Sequence, residues 1–348
     1  MASYEGNNAR VVFGAGSASL ARDEMRRLGG RALLISSASS RPVAETIVAG
    51  SDDIVARIGD IRQHVPVADA ERARERCRTA GAQVVLAVGG GSAIGLAKAI
   101  ALTEPVTILA IPTTYSGSEM TSAWGITENG VKLTGRDLAV VPRAVIYDPE
   151  LTLSLSPDLT AASGFNALAH CVEALWAPDR SPLSDAIAEA GITKLAAALP
   201  AAVRDGANAA ARESALAGAW FAGIALAAAG AGVHHKICHV LGGRFDLPHA
   251  PMHAAVLPWS TAAAVRHIPS AAARIAGALG AEDAVDGLRR LGAELGVART
   301  LADLGLTEAQ ALAVADEIEV PPLSPAGEVS RDQLRELLLG ATLGDIDG

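Results

Sequence analysis

Large rings are scarce in this chain. Only 4 Phe, 4 Trp and 3 Tyr occur among 348 residues, although half of the residues are hydrophobic. Ala and Gly supply much of that half, which predicts a core of closely packed helices. Cysteine is also rare: Cys77, Cys171 and Cys238 are odd in number and widely spaced. No disulfide framework or cysteine-based zinc motif is visible, and a reducing compartment fits. No long Lys/Arg run occurs, and 29 basic against 38 acidic residues leave a net charge of −9. That balance argues against a nucleic-acid partner, whose phosphates need a cationic surface. A mean hydropathy of +0.29 excludes intrinsic disorder, and the length suits one or two domains.

Nor is there a targeting signature: residues 1–10 are polar and lack a basic-then-apolar order. Residues 215–233 carry no charge and approach the length of a spanning helix, but 13 of these 19 are Ala or Gly. Such residues contribute little transfer energy, and His234, His235 and Lys236 follow directly, so a buried helix is expected rather than a membrane span. The expectation is a cytoplasmic protein without a membrane partner.

Short apolar runs at 10–13, 32–35, 84–88, 107–111 and 144–147 alternate with helical stretches at 19–28, 43–48, 69–80 and 93–102. Alternation of this kind predicts a parallel sheet with helices on both faces. Near residue 155 the character changes. Ser156-Pro157-Asp158 is a helix start, with Ser as cap and Pro at the first helical position. Helical patterning then continues almost to residue 348, centred on Ala-rich stretches at 184–199 and 209–229. The predicted architecture is a Rossmann-like α/β domain over residues 1–155 and an all-α catalytic domain over 156–348.

Gly89-Gly90-Gly91-Ser92 lies between a predicted strand and a predicted helix. There a backbone without side chains can approach a diphosphate, and the N–H groups of the helix start attract its charge. Two further small-residue turns, Gly14-Ala15-Gly16-Ser17 and Thr113-Thr114-Tyr115-Ser116-Gly117-Ser118, also follow strands, at the sheet end where open α/β folds bind ligands. The reading is a nucleotide cofactor, although the spacing is not G-x-G-x-x-G.

Histidine is concentrated: His234, His235, His239, His249 and His253 fall within twenty residues, out of eight in the chain. His235 and His239 are four apart on one helix face, and the turn Asp246-Leu247-Pro248 returns His249 toward that helix. Asn166 and His170 are also four apart. Imidazoles gathered this way bind a metal, transfer protons or hold an anion. His64 and His267 read as isolated structural residues.

Several motifs together resemble the iron-containing (group III) alcohol dehydrogenase superfamily. They are Gly89-Gly90-Gly91-Ser92, Ile111-Pro112-Thr113-Thr114, Gly117-Ser118-Glu119, Tyr147-Asp148-Pro149, Ala167-x-x-His170 and the His235/His239/His249 spacing. Within it, Gly91 to Lys98, Gly125-Ile126-Thr127-Glu128, Lys132-x-Thr134-Gly135-Arg136 and His234 to Gly243 are similar to the maleylacetate reductase branch. The resemblance implies the two-domain dehydroquinate synthase-like fold, a homodimer, and reduction of the carbon–carbon double bond of maleylacetate to 3-oxoadipate by NADH or NADPH in aromatic catabolism. It implies a cofactor site at Gly89, Gly90, Gly91, Ser92, Thr113, Thr114, Ser116, Ser37 and Leu151. It places Asn166, Lys236, Tyr115 and Trp259 with a dicarboxylate-like substrate, and His170, His235, His239, His249 and His253 in catalysis, with His239 or His253 as proton donor. Cofactor choice stays open, because the loop at 36–41 offers no acid for a ribose hydroxyl and one base, Arg41.

Metal-dependent members of the superfamily hold their ion with one Asp and three His. The matching positions here are His170, His235 and His249, but Asn166 stands where the Asp would be. The expectation is therefore a pocket for substrate carboxylate, with protonatable His and Lys236 or Arg136 facing a dianion, and no required metal. Pro251 and Trp259 depart from the reductase pattern, which has an acid and a His there. Trp259 reads equally as a pocket wall or as core. Two alternatives stay open: a metal-dependent alcohol dehydrogenase, which Asn166 and Gly95 oppose, and a protein of this fold without redox chemistry, acting on a different acid.

Overall fold

The computed structural model describes residues 9–128, 131–297, 300–324 and 327–344. Residues 1–8 of the polar N-terminal segment lie outside these. The chain divides into two compact units at residues 155/156.

The first unit contains β1 (Arg10–Phe13), α1 (Ala21–Leu28), β2 (Ala32–Ser36), α2 (Arg41–Val48), β3 (Ile54–Ile58), α3 (Val67–Ala80), β4 (Val84–Gly89), α4 (Gly91–Ala101) and β5 (Thr107–Pro112). It continues with β6 (Ala123–Glu128), β7 (Val131–Arg136) and β8 (Ala144–Tyr147). Six strands form a parallel sheet in the order β1-β8-β5-β4-β2-β3. The central strands β2, β4 and β8 are buried throughout, as their unbroken apolar runs require of strands covered on both faces. From β2 the chain steps outward to β3, and from β4 it steps the opposite way to β5. The switch point of the sheet therefore lies between the carboxyl ends of β2 and β4.

Two elements escaped the sequence pattern. The edge strand β3 pairs on one side only and carries Arg57 in its middle, which interrupts the apolar run. The antiparallel hairpin β6–β7 is largely exposed and contains Gly125 and Gly135, so it shows no alternation to read. Its packing is cross-strand: a Cβ at Gly135 would lie 2.7 Å from the Trp124 ring.

The second unit is helical: α5 (Pro157–Ala174), α6 (Pro182–Arg204), α7 (Ala209–Ala229), α8 (Val233–Phe245), α9 (His249–Val265), α10 (Pro269–Leu279), α11 (Ala284–Leu295), α12 (Glu308–Glu317) and α13 (Arg331–Leu343). The Ser156 hydroxyl accepts from the Leu159 N–H, capping α5 with Pro157 as its first residue. Close packing of α5, α6 and α7 rests on glycine. A Cβ at Gly191 would lie 2.5 Å from Cys171 Sγ, one at Gly218 would lie 2.7 Å from Leu195 Cγ, and one at Gly164 would overlap the Leu199 side chain. By length and composition α6 is apolar enough to cross a membrane, as are α7 and α8 taken together, although those two meet at a 101° bend.

Candidate active site

In the α/β unit, three turns meet at the carboxyl ends of β2, β4 and β5. The Ser40 hydroxyl donates to Val88 O at 2.9 Å, tying the turn after β2 to β4 across the switch point. Thr113 N–H donates to Gly89 O at 3.0 Å, tying β5 to β4. Gly90 and Gly91 are required by closeness: a Cβ at Gly90 would lie 2.9 Å from Thr114 Oγ1, and one at Gly91 2.9 Å from Ser116 Oγ. Gly117, at φ +76, closes the turn after β5 in a conformation that side chains disfavour. Ser37 bonds to the Ser39 and Ser40 hydroxyls in the same place, and Ser92 is the second residue of α4. This hydroxyl-lined glycine turn at a helix start fits a diphosphate. Gly91→Val is expected to raise KM for reduced cofactor about tenfold, or ~1.4 kcal/mol, with an unchanged circular dichroism spectrum.

Other expected members stand elsewhere. The turn Gly14–Ser17 is already engaged, since its Gly16 and Ala18 N–H groups donate to the Asp148 carboxylate at 3.1 and 2.9 Å. At the sheet edge, these two N–H groups are thus already taken by Asp148. Leu151 packs against the apolar core of the sheet, and Tyr115 is fully buried.

In the helical unit, three pairs spaced four apart bring six rings together: Asn166 and His170 on α5, His235 and His239 on α8, His249 and His253 on α9, with His234 added. Asp246 ends α8 at φ +53, its N–H on Gly242 O, and after Leu247 and Pro248 the chain re-enters a helix at His249. His170 stacks on His235 with centroids 4.9 Å apart. His235 lies 5.0 Å from His253 and 6.1 Å from His239, and His253 lies 4.4 Å from His249. His239 and His249 are half-buried and the other four are buried. Burial holds His170 and His253 well below the usual imidazole range and His234 at about 3. These three rings are neutral at neutral pH, so they do not supply the expected positive charge. Asn166 Oδ1, His170 Nδ1, His235 Nε2 and His253 Nε2 are buried without a protein partner.

One functional residue went unread. Glu173, 1% exposed, lies three residues after His170 and so on the same side of α5. Its carboxylate accepts from His235 Nδ1 in a very short contact and from the His235 backbone N–H at 3.2 Å. It thus caps the start of α8 from another helix, and Gly232 permits the approach, since a Cβ there would lie 3.1 Å from Glu173 Oε1. Burial pushes its carboxyl up, but the charge and hydrogen bond of His235 prevail and bring it to about 2.

Trp259 does not face these rings. It lies under the Arg289 guanidinium at 4.9 Å and against Gly340 of α13, where a Cβ would overlap its ring. Phe165 packs toward Gly292 of α11. Both are packing residues. Lys236 is exposed and stands outside the ring cluster, and Arg136 is exposed at the end of β7.

The family model for iron-containing alcohol dehydrogenase matches residues 8–149, and the model for the C-terminal part of the Fe-containing alcohol dehydrogenase family matches residues 160–338. The chain belongs to the iron-containing alcohol dehydrogenase family. Within this family it is 44% identical over 327 residues to a maleylacetate reductase of Sphingobium indicum, covering 92% of this chain and 93% of that one. It is 43% identical over 338 residues to a maleylacetate reductase of Burkholderia cepacia, covering 96% of each. The crystal structure of maleylacetate reductase from Rhizobium sp. strain MTP-10005 superposes with a TM-score of 0.91 at 41% identity, covering 98% of each chain.

The iron-containing alcohol dehydrogenase family implies a metal, and the donor set bears on its fit. His170, His235 and His249 are neutral nitrogen donors; Asn166 supplies an amide where the carboxylate ligand would stand, and the one carboxylate at these rings, Glu173, is engaged by His235 Nδ1. Among the described residues, the three His, Cys, Asp or Glu side chains whose donor atoms lie within 4.8 Å of one another are His234, Cys238 and His253, and not the expected trio. Both ring nitrogens of His234 are already hydrogen-bonded. This donor set does not fit the one-Asp, three-His centre of the metal-dependent members.

Proposed function

We propose that this oxidoreductase reduces the carbon–carbon double bond of maleylacetate to 3-oxoadipate with NADH or NADPH, and that it needs no metal ion. The observation that carries this reading is the near full-length likeness to proteins named maleylacetate reductase. Reduced nicotinamide, when bound at Gly89–Ser92, Thr113, Thr114, Ser116 and Ser37, supplies the hydride. The helical unit then has to hold the unsaturated keto acid and return one proton to the enolate left by hydride addition.

His235 suits that proton transfer better than the expected His239 or His253. With Nδ1 on Glu173, it presents Nε2 to the site, and the carboxylate balances the charge of the doubly protonated ring. After Nε2 gives its proton to the enolate carbon, the ring is neutral. His239 stands edge-on to it at 6.1 Å and is half-buried. Asn166 and His170 offer hydrogen bonds that orient the substrate, and His249 borders them beside His253.

The test follows loss of reduced nicotinamide on adding maleylacetate, with saturable turnover expected. A protein that binds NADH or NADPH but leaves maleylacetate unchanged would end this reading. One stoichiometric transition metal, with activity lost on chelation, would end its metal-free part. A cytoplasmic homodimer is the inferred form, which a monomer mass by light scattering would contradict.

A further inference from the structure

The direction of the hydrogen bonds around His234 follows from where Ser260 sends its proton. Ser260 Oγ lies 3.0 Å from Leu257 O, a carbonyl that only accepts and that also takes the Thr261 hydroxyl at 2.8 Å; in the arrangement taken here Ser260 directs its single proton to it. With its proton there, Ser260 Oγ accepts at its other contact, 3.0 Å from His234 Nδ1. His234 then carries its proton on Nδ1 and a lone pair on Nε2. That Nε2 lies 2.9 Å from His253 Nδ1, which must be the donor. Cys238 Sγ, 3.8 Å from the same Nε2, is placed to offer its weak S–H to that lone pair. His253 is left with a bare lone pair on Nε2, buried and without a protein partner. His234 and His253 are both fully buried, and the three contacts of the chain are met with one proton on each ring.

We propose that His234 and Ser260 are positioning residues that lock His253 as the Nδ1–H tautomer, so that its Nε2 meets the ligand as a hydrogen-bond acceptor. The ligand group this end selects is one that brings its own O–H: an enol or hydroxyl of the keto acid, and not a carboxylate oxygen. The arrangement rests on the helical unit being the substrate site, and it deepens that reading. Ser260 and His253 lie seven residues apart on one face of α9, and His234 of α8 bridges them. The chain of bonds is a lock and not a proton wire. A proton accepted at His253 Nε2 could move on only if Ser260 passed its own proton to Leu257 O, and an amide carbonyl is not a base at neutral pH.

The experiment is nitrogen-15 NMR of histidine-labelled protein, with the His253 signals assigned by their loss in His253→Asn. In the unaltered protein, Nδ1 of His253 is expected to carry the proton and Nε2 to be bare. Ser260→Ala removes the acceptor of His234 Nδ1–H, so both rings are expected to change tautomer and place the His253 proton on Nε2. Ser260→Thr keeps the hydroxyl and is expected to keep the original tautomer. In kinetics, Ser260→Ala is expected to lose about tenfold in kcat with KM for reduced cofactor unchanged, and Ser260→Thr to restore it. A proton on His253 Nε2 in the unaltered protein, or an unchanged tautomer in Ser260→Ala, would overturn the proposal. If Ser260→Ala does not fold, the unaltered protein and Ser260→Thr still decide it. The spectra need no substrate, so inactivity toward maleylacetate would remove the proposed reaction without touching this result.

Discussion

Glu173→Gln is expected to lower kcat about 100-fold while KM for reduced cofactor stays within twofold of its starting value; a positioned proton-transfer group contributes about 10²–10⁴. The substitution keeps volume and one acceptor oxygen, which can hold the His235 backbone N–H and the cap of α8, while the new amide NH2 faces His235 Nδ1 and can only donate to it. What it removes is the charge that balances His235 when both ring nitrogens carry protons. An uncompensated buried cation is costly, so the proton for the enolate is lost while the nucleotide turns in the other unit are untouched. The carboxyl of Glu173 is held at about 2 against an ordinary 4.5. A depressed carboxyl contributes stability that is present above its unfolded value and is lost as pH falls through its folded value. Stability of the natural protein from this source therefore declines as pH drops from about 4.5 toward 2, and the Gln variant lacks that part of the decline. Unaltered kcat in Glu173→Gln would remove the assignment of His235.

The second large effect is on stability. Gly218→Val is expected to lower the thermal midpoint of the helical unit by about 6–12 °C, from an overpacking cost of about 3 kcal/mol. At Gly218 a Cβ would lie 2.7 Å from Leu195 Cγ and 3.3 Å from the Leu195 backbone nitrogen, so a rotamer change of Leu195 alone does not make room. Helices α6 and α7 would have to move apart, and α5 with them, because Gly164 and Gly191 hold the other contacts of the same seam. Gly277 of α10 is the comparison. Nothing lies within 4 Å of a Cβ there, so Gly277→Ala is expected to stabilise by about 0.5–1 kcal/mol through the unfolded chain. Circular dichroism melts of the two variants check both signs. Equal melting of Gly218→Val and the natural chain would refute the seam.

Much of this was legible from local pattern. The apolar runs ending in Ser36, Gly89 and Pro112 placed strands of a parallel sheet, because strands covered on both faces need no alternation. Ser156-Pro157 placed the start of α5. Strand β3 and the hairpin were not legible, since an edge strand with Arg57 and a Gly-containing exposed ribbon bury too little to be patterned. The spacings Asn166/His170, His235/His239 and His249/His253 each put two polar groups on one helix face, and a sharp turn at Asp246 made α8 and α9 neighbours.

The sequence alone thus determined the candidates: a glycine turn at a helix start, a set of imidazoles at helical spacing, and a core too small in its side chains for anything but close helices. Tertiary structure decided what each candidate does. It filled the Gly14–Ser17 turn with Asp148, and it turned Trp259 under Arg289 and away from the rings. It joined His235 to Glu173, 62 positions away, and His234 to His253, 19 positions away. Helical periodicity reaches only one or two turns, whereas a ring's proton and charge depend on which atom of another helix lies against it. That is settled only when the helices pack.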